Sequence, residues 1–322
     1  MTEVCVLGGG PAGSSAALAA LRCGARVAIV ERSRFPRHKV CGEFLSPGIE
    51  PALGQLGLWA SFAALKPARI HRMAIHVGGA QKTAPLPEPA FGLSRHAFDH
   101  LLWTSAMAAG AVAASEGAAN IVTTGRSSPS VRGGRLFGFK AHFRGPTDDA
   151  VELYFSRNTY VGVNCVEAYL TNVCGLAPEE ELKAVNFEMD AFIRRDPALR
   201  ARLAPLTRAW DWIFTGPLEF GQRFESQTNT YPAGDALSFV DPFTGSGLLC
   251  AVLTGTLAGE CAAGNIPVPE YLRRCAASIR QPYRFSSILR WIATTRAAAP
   301  LLRAAPAGLI FRCTRPSSML VH

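Results

Sequence analysis

Residues 3–31 have the sequence EVCVLGGGPAGSSAALAALRCGARVAIVE, and this stretch decides the fold of the N-terminal part of the chain. Residues 3–7 are a short apolar run typical of a buried strand, and glycines follow at once. Residues 14–23 are rich in Ala and Leu and predict a helix, which Gly24 ends as a C-terminal cap. Residues 26–30 predict a second strand. Strand, glycine turn, helix and strand in this order predict a βαβ unit with a parallel pair.

The glycine turn has the pattern of a dinucleotide site. Gly8 permits a tight turn after the strand, Gly10 lets a pyrophosphate approach the backbone, and Gly13 lets helix and strand pack closely. The free N–H groups of the helix then point at the phosphates. Glu31 follows 18 residues after Gly13, where an acid accepts hydrogen bonds from ribose hydroxyls. Because it would repel a 2′-phosphate, the site suits FAD or NAD rather than NADP. The competing interpretation is a glycine turn in an unrelated α/β protein.

A second glycine-opened helix is predicted more than 200 residues further along the chain. Gly234 and Asp235 follow a short strand, and residues 241–248 (DPFTGSGL) lead into a predicted helix at 245–263. An acid at a strand end can hold ribityl or ribose hydroxyls, and the helix N-terminus can face another part of the same ligand. Two such helices imply one long ligand held at both ends, and FAD is such a ligand. Taken alone, the second motif also fits a turn before a core helix.

The composition of the 322-residue chain excludes several classes of protein. Hydrophobic residues make up 48% and charged residues 18%, which excludes a disordered or fibrous chain. The net charge is +9, but the cations are scattered and no aromatic residues interleave with them, so we predict no nucleic-acid partner. An anionic small molecule or an acidic membrane surface explains the charge better. The nine cysteines include no C-x-x-C pair and indicate a reducing cytosol. We expect no transmembrane segment and no signal peptide, hence a cytoplasmic protein.

The order of the predicted elements gives an α/β fold, in which a Rossmann-like FAD/NAD(P)-binding domain carries an inserted antiparallel-sheet substrate domain and C-terminal helices. Residues 69–78 and 151–176 predict antiparallel strands. A helix capped by Ser94 is predicted up to residue 110, and residues 179–203 predict a helix with its acids first and its arginines last. The segment 113–120 is shorter than such flavin domains usually have. The predicted boundaries are 1–68, 91–136 and 218–267 for the FAD-binding domain, 69–90 and 137–217 for the substrate domain, and 268–322 for the C-terminal helical region.

The chain resembles the FAD-dependent oxidoreductases of the geranylgeranyl reductase family, within the class that holds p-hydroxybenzoate-hydroxylase-like monooxygenases and flavin halogenases. The resemblance rests on five motifs in order: the turn at 8–13, Glu31, KVCGE at 39–43, Leu93-Ser94-Arg95 with Phe98-Asp99, and the stretch 234–247. It implies FAD contacts at Ala12, Glu31, Cys41, Gly42, Phe44, Arg95, Asp235, Gly247 and Leu248. We assign to the same site their neighbours Pro11, Arg32, Gly234 and Gly245. A fixed guanidinium at Arg95 also suits a diphosphate or ribityl oxygen.

The resemblance also supplies catalytic and substrate candidates. In archaeal reductases of the family a Cys of this loop lies close to the flavin, so Cys41 is either a reactive thiol or a small residue packed beneath the ring. Prenyl-lipid reductases carry Tyr-x-Trp-x-Phe-Pro on a strand where this chain has Tyr160, Gly162 and Asn164. Tyr160 is therefore a candidate catalytic residue, and Gly162 and Asn164 are candidate substrate contacts on the same strand face. Space at Gly162 and polarity at Asn164 favour a bulky ring over a bare isoprenoid chain.

Three functions remain open at this stage. The first is a reductase or dehydrogenase acting on a lipid-like or polyketide/aromatic molecule, with NADH or NADPH as a transient electron donor. The second is a flavin-dependent monooxygenase that hydroxylates an aromatic substrate. The third is a degenerate flavin-fold protein that binds a ligand without turnover, which the short segment 113–120 supports. In each case the partner is a small molecule.

Two further features bear on metals and membranes. His96 and His100 share a helix face, but no third ligand completes a zinc site, so we predict no metal. The tail from Arg284 to Arg315 mixes arginines with apolar residues. One hypothesis is peripheral contact of this C-terminal region with the anionic inner face of the membrane. The alternative, which we favour, is a helix pair docked on the flavin domain.

Overall fold

The computed structural model describes residues 2–125, 135–156, 159–218, 221–222, 229–239 and 245–277. In chain order its helices and strands are β1 (Glu3–Leu7), α1 (Pro11–Arg22), β2 (Arg26–Val30), β3 (Phe44–Leu45), α2 (Ile49–Gln55), α3 (Trp59–Ala64), β4 (Ala68–Val77), β5 (Ala80–Gly92), α4 (Arg95–Ala108), β6 (Val112–Ala114), β7 (Ile121–Val122), β8 (Leu136–Arg144), β9 (Ala150–Ser156), β10 (Thr159–Cys165), β11 (Leu170–Pro178), α5 (Glu179–Lys183), α6 (Met189–Arg194), α7 (Pro197–Leu203), β12 (Thr207–Arg208), β13 (Ile213–Leu218), β14 (Gly221–Gln222), β15 (Tyr231–Pro232), β16 (Ser238–Phe239), α8 (Gly247–Ala263) and α9 (268–277).

The N-terminal βαβ unit is confirmed. β1 and β2 pair in parallel, with Val4 opposite Val27 and Val6 opposite Ile29. These four side chains alternate with half-buried or exposed ones and lie in one hydrophobic core with α1 and α8. The complete sheet has the order β15-β7-β1-β2-β6, and all of its pairs are parallel. The carboxyl ends of its strands therefore meet at one edge, which is where α1 begins.

The second sheet has the order β12-β8-β11-β10-β9-β4-β5-β3, with β13 also paired to β8. The expectation of a wholly antiparallel sheet is wrong at one pair, because β4 and β9 run parallel, with Met73 opposite Val151 and Ile75 opposite Leu153. Apolar residues alternate with period two in both kinds of pairing, so the alternation did not distinguish them. β3 joins this sheet directly after the loop that carries Cys41.

Two predicted helices have different outcomes. The helix capped by Ser94 is confirmed as α4, since the Ser94 hydroxyl accepts a hydrogen bond from the Ala97 N–H at 3.1 Å. The single helix over 179–203 is wrong, because the chain there forms the three short helices α5, α6 and α7. Asn186 and Phe187 have φ of 51° and 60°, left-handed values that end a helix, and Pro197 starts a new one. The three helices cover one face of the second sheet, the back face, which carries Val161 and Val163.

The helices α1 and α8 pack in direct backbone contact. A Cβ atom on Gly255 would overlap the carbonyl oxygen of Ala12, and a Cβ atom on Gly259 would overlap that of Ala16. Because the contacts advance in the same direction along both helices, the two helices run parallel. Their N-termini therefore face the same end of the molecule.

The short connection between β6 and β7 crosses the parallel sheet on the face turned away from α1. A Cβ atom on Gly117 would lie 2.7 Å from the Sγ of Cys5, so the backbone of the connection presses on the sheet. Asn120 fixes its end, because its side-chain oxygen accepts from the Cys5 N–H at 2.7 Å and its N–H donates to the Cys5 carbonyl at 2.9 Å. The shortened segment is thus held against β1 and leads directly into β7.

The substitution Gly259→Ala is expected to destabilise the protein by about 1–3 kcal/mol, because overpacking at a close contact costs this much. Thermal unfolding followed by circular dichroism would show it as a lower Tm. Gly54→Ala in α2 is the matched control, since nothing lies within 4 Å of a Cβ atom there. An unchanged Tm for Gly259→Ala would contradict the α1–α8 contact.

Candidate functional site

The first glycine turn lies between β1 and α1. Gly8 has a φ of 104°, a region that favours glycine. A Cβ atom on Gly13 would overlap the Gly8 carbonyl oxygen, so Gly13 permits the close approach of α1. Gly10 differs, because nothing lies within 4 Å of its Cβ position. Pro11 follows at the first helical position, where a missing N–H costs nothing. The backbone at Gly10 is therefore open to a ligand phosphate.

Glu31 lies directly beside this turn. Its two carboxylate oxygens accept hydrogen bonds from the N–H groups of Gly9 and Ser33 at 2.7 and 2.8 Å, and Arg37 lies 3.4 Å away. Burial alone would raise the pKa of Glu31, but the two hydrogen bonds and the Arg37 charge outweigh burial and hold the pKa below its usual 4.5. The ionised carboxylate has further lone pairs for ribose hydroxyls. Arg32, also predicted to contact the cofactor, is exposed.

The turn after β15 touches the first helix. Gly234 has a φ of 60°, and its Cβ position lies 2.9 Å from the Cβ of Ala12. Its N–H donates to the Thr254 hydroxyl of α8 at 2.9 Å. Asp235 follows and is half-buried. The structure thus brings the predicted ligands Ala12, Gly234 and Asp235 together between the two helices.

The start of α8 forms the far end of this groove. Gly245 has a φ of 67°, and a Cβ atom there would lie 2.5 Å from the ring of Phe44. Nothing lies within 4 Å of a Cβ atom on Gly247, the first residue of α8, or on Gly42 in the loop before β3. Leu248 is buried beneath the helix start. The loop at 41–44 and the N-terminus of α8 are therefore neighbours, with open backbone on both.

The offset between the two helix starts fits FAD. α1 begins one residue before Ala12, whereas α8 begins eight residues before Gly255, the residue in contact with Ala12. At 1.5 Å per residue the α8 N-terminus lies about 10 Å beyond that of α1. A lone phosphate needs one helix N-terminus, whereas a diphosphate with a ring system at the end of an extended chain reaches both. FAD has this shape, and its adenine ribose carries the hydroxyls that Glu31 can bind.

Arg95 and Cys41 lie side by side at the start of α4. The guanidinium binds both carboxylate oxygens of Asp99 at 2.5 and 2.7 Å, and the Cys41 side chain lies near enough to interact with its charge. Burial opposes the charge of Arg95, but Asp99 outweighs it and raises the pKa of Arg95. The Cys41 sulfur also accepts from the Glu43 N–H at 3.4 Å. Asp99 thus fixes a cation beside the half-buried thiol.

The predicted substrate strand is β10. Val161 and Val163 belong to the core on the back face, which places Tyr160, Gly162 and Asn164 together on the other face, as expected. A Cβ atom on Gly162 would make only ordinary contacts, at 3.6 Å from the Leu153 side chain and from the Cys174 carbonyl oxygen, so a methyl group would fit here.

The other two predicted residues of β10 differ in exposure. Tyr160 is half-buried and packs on Phe155, with ring centroids 6.0 Å apart. Asn164 is only 2% exposed, and its amide donates to the neighbouring Cys165 carbonyl at 3.3 Å. Asn164 is a buried part of the sheet because the backbone of β5 at Gly92 lies against it.

Sequence reasoning missed a polar row on the second sheet, formed by Lys140 and His142 of β8 and Asn172 of β11. All three are buried. Lys140 and His142 contact the carboxylate of Glu43, and the Asn172 amide donates to the carbonyls of Gly42 and Cys41 at 2.8 and 3.2 Å. The sequence does carry a signal for this row: Lys140 and His142 stand two positions apart in an apolar strand and therefore share one face of the sheet.

A profile of the FAD dependent oxidoreductase family matches residues 3–36, the segment that carries the first glycine turn and Glu31. The similarity to the FAD-dependent oxidoreductases is thus carried by this N-terminal segment. The match ends before the loop at 41–44 and does not include the second sheet.

Two curated relatives share short segments with the chain. The menaquinone reductase of Mycolicibacterium smegmatis (strain ATCC 700084 / mc(2)155) is 40% identical over 89 residues, which are 28% of this chain and 21% of the relative. The 6-methylpretetramide 4-monooxygenase of Streptomyces rimosus is 54% identical over 57 residues, 18% of this chain and 14% of the relative. The chain thus matches about a fifth or less of the length of these relatives.

Solved structures share the fold over almost the whole chain. A triple mutant of a flavin-dependent brominase aligns with a TM-score of 0.80 at 16% identity, over 99% of this chain and 95% of that one. A flavoprotein/dehydrogenase from Cytophaga hutchinsonii aligns with a TM-score of 0.76 at 16% identity, over 99% and 92%. The predicted α/β fold with a parallel sheet and a second sheet is thereby confirmed, with the second sheet mixed.

The remaining predictions concern metals and membranes. Within the described residues no group of three or more potential metal ligands comes together, and His96 stacks on His38 with ring centroids 4.9 Å apart. The arginine-rich tail lies outside the described residues. Of the helices within those residues, none combines the length and the apolar character needed to cross a bilayer.

The lowered pKa of Glu31 predicts a pH dependence of stability. Its ionised form favours the folded state, so its contribution is complete above the usual pKa of 4.5 and is lost as the pH falls through the lower folded value. We therefore expect Glu31→Gln to lower the Tm at neutral pH and the difference from wild type to shrink below about pH 4.5. The exposed Glu116→Gln is the control. A difference that grows on acidification would contradict the placement of Glu31.

Proposed function

We propose that the chain binds FAD noncovalently in the groove between the starts of α1 and α8 and acts as an oxidoreductase on a bulky aromatic or polyketide-like molecule. The observation that carries the proposal is the parallel packing of two glycine-opened helices with offset N-termini. Bound FAD supplies hydride transfer or oxygen activation. The chain's own residues bind the adenine end at Gly10 and Glu31 and orient the flavin end against the loop 41–44 and the α8 N-terminus.

The substrate in this proposal lies against the open face of the second sheet. In this proposal the half-exposed Gly162 and the half-buried Tyr160 contact a flat ring system, and the buried side chains of Leu153 and Phe155 support them from the core. Cys41, held beside Arg95, is positioned to exchange a proton at its sulfur. The proposed relationship to the geranylgeranyl reductase family rests on the five motifs of the sequence, of which KVCGE at 39–43 forms this loop. The match to a menaquinone reductase favours a reductase. For such a reductase we propose NADH or NADPH as the electron donor.

A flavin-dependent monooxygenase is the second candidate, and the match to a 6-methylpretetramide 4-monooxygenase favours it. Both candidates need the same cofactor groove and differ in the second substrate. Oxygen consumption in step with loss of an aromatic substrate identifies the monooxygenase, whereas anaerobic turnover of NADH or NADPH with a quinone identifies the reductase. If the substrate is lipid-like, we also propose that the protein works at the inner face of the membrane, where such a substrate resides.

The FAD proposal is tested by denaturing the purified protein and identifying the released cofactor by chromatography. The variant Gly10→Val should retain the wild-type fold without cofactor, because nothing lies within 4 Å of a Cβ atom at this position. It should nevertheless weaken FAD binding by more than about tenfold, since one lost charge-assisted hydrogen bond already has this effect. Release of FMN, or full FAD affinity in Gly10→Val, would overturn the assignment of the groove.

The substrate proposal predicts that Gly162→Phe retains FAD but lowers kcat/KM for menaquinone or a phenolic polyketide. A filled pocket of this kind changes kcat/KM by about 10- to 200-fold. Reoxidation of the reduced protein by ferricyanide is the control, because a small outer-sphere oxidant does not need the pocket. Unchanged kcat/KM for every ring substrate would place the substrate elsewhere, and efficient saturation of geranylgeranyl lipids with phenolics inert would restore a prenyl substrate.

A further inference from the structure

A fully buried carboxylate, Glu43, connects three elements where the loop 41–44 meets the second sheet. One carboxylate oxygen accepts from the ammonium of Lys140 on β8 and from the Arg95 N–H at the start of α4, the latter at 2.6 Å. The other oxygen contacts Nε2 of His142 at 2.5 Å. The side chains of Glu43, Lys140 and His142 are 0, 1 and 0% exposed. Since solvent cannot replace these contacts, each partner depends on the others.

The charge of Glu43 is retained despite its burial. Burial alone would raise the pKa of Glu43, but the Lys140 charge and the His142 hydrogen bond outweigh it and lower the pKa. The carboxylate also lies at the N-terminus of the 14-residue helix α4, where the helix dipole favours an anion. A buried ion pair is seldom more stable than apolar residues of the same volume. Stability alone therefore does not account for this cluster, whereas a need for one fixed geometry does.

The polar row holds the loop at several adjacent points. Glu43 has a φ of 53°, an uncommon value for a residue other than glycine, and its N–H donates to the Cys41 sulfur. Asn172 lies opposite His142 in the strand register and donates to the carbonyls of Cys41 and Gly42. Backbone and side chain of the loop are thus both held by neighbouring positions of the second sheet.

We propose that Glu43 is a positioning residue that, through Lys140 and His142, locks the loop 41–44 onto the second sheet and thereby fixes the surface that receives the flavin end of the cofactor. This inference rests on the proposed function, because that function places the flavin at the loop. The adenine end, at Gly10 and Glu31, makes no contact with this cluster. Loss of the Glu43 charge is therefore expected to affect one end of the site and to spare the other.

The first test compares FAD with ADP, which carries only the adenine end. Glu43→Gln and Lys140→Met should each weaken FAD binding by about 10- to 100-fold, because each leaves a buried charge without its partner. The double variant buries no unpaired charge and should recover most of the affinity. ADP affinity should stay at the wild-type value in all three. The exposed pair Arg26–Glu3, at 2.5 Å, supplies the matched control as Glu3→Gln with Arg26→Met.

The second test needs no cofactor. Alkylation of the apo protein by iodoacetamide, followed by peptide mass spectrometry, gives the labelling rate of the half-buried Cys41 relative to that of the exposed Cys23. This ratio should rise about tenfold or more in each single charge variant, as expected when a local contact opens, and should fall back in the double variant. His142→Phe retains the ion pair and serves if a charge variant does not fold; it should raise the ratio by a smaller factor.

Three results would overturn the proposal: equal losses of FAD and ADP affinity, an unchanged labelling ratio at Cys41 in every variant, or a double variant with the summed effects of the singles. A wild-type protein that binds neither FAD nor ADP would refute the proposed function instead. In that case the labelling ratios still decide whether Glu43 locks the loop.

Discussion

The backbone contact between α1 and α8 is the constraint on which the rest of the molecule depends. Gly255 and Gly259 let a helix near the C-terminal end of the described chain lie directly on the first helix, and the parallel direction brings both N-termini to one groove. Any larger side chain at these positions would push the helices apart and separate the two glycine turns. The offset of the helix starts then sets what kind of ligand fits, because a short anion reaches one start and an extended dinucleotide reaches both.

In the proposed function the second sheet contributes what the parallel sheet lacks, a surface for the reacting end of the ligand. The two parts meet at the loop 41–44, which leaves the cofactor groove and enters the second sheet as β3. Open backbone at Gly42, the Phe44 ring against Gly245 and the Cys41 thiol beside Arg95 all belong to this junction. A shift of this loop would move the Gly42 backbone, the Phe44 ring and the Cys41 thiol together. The many polar contacts to the loop prevent such a shift.

Local signals in the sequence were sufficient for the elements that line the proposed cofactor groove. The βαβ unit, the cap at Ser94 and the start of α8 follow from glycine positions, capping chemistry and short-range periodicity, and all three are present. The parallel pairing of β4 with β9 was not predictable, since alternation is the same in both pairings. The breaks around Asn186 depend on left-handed backbone at residues other than glycine, for which the sequence carries no clear signal.

In the candidate site, too, local sequence patterns predict some features, whereas others depend on the tertiary fold. Lys140 and His142 stand two positions apart, so the sequence places them on one face of a strand, but their partner Glu43 is 97 and 99 residues away in the chain. Only the tertiary fold shows that this face meets the loop. Asn164 illustrates the reverse case, because its strand face was correctly predicted while its burial depends on the distant backbone of Gly92.

The central claim, one extended ligand held at both helix starts, is tested most directly by calorimetric titration of the cofactor-free protein with FAD, FMN and ADP. FMN and ADP each carry groups for one end of the groove, whereas FAD joins them. The account predicts that FAD binds at least about 100-fold more tightly than either fragment, the gain expected when two linked contacts are made at once. FMN or ADP binding as tightly as FAD would contradict it.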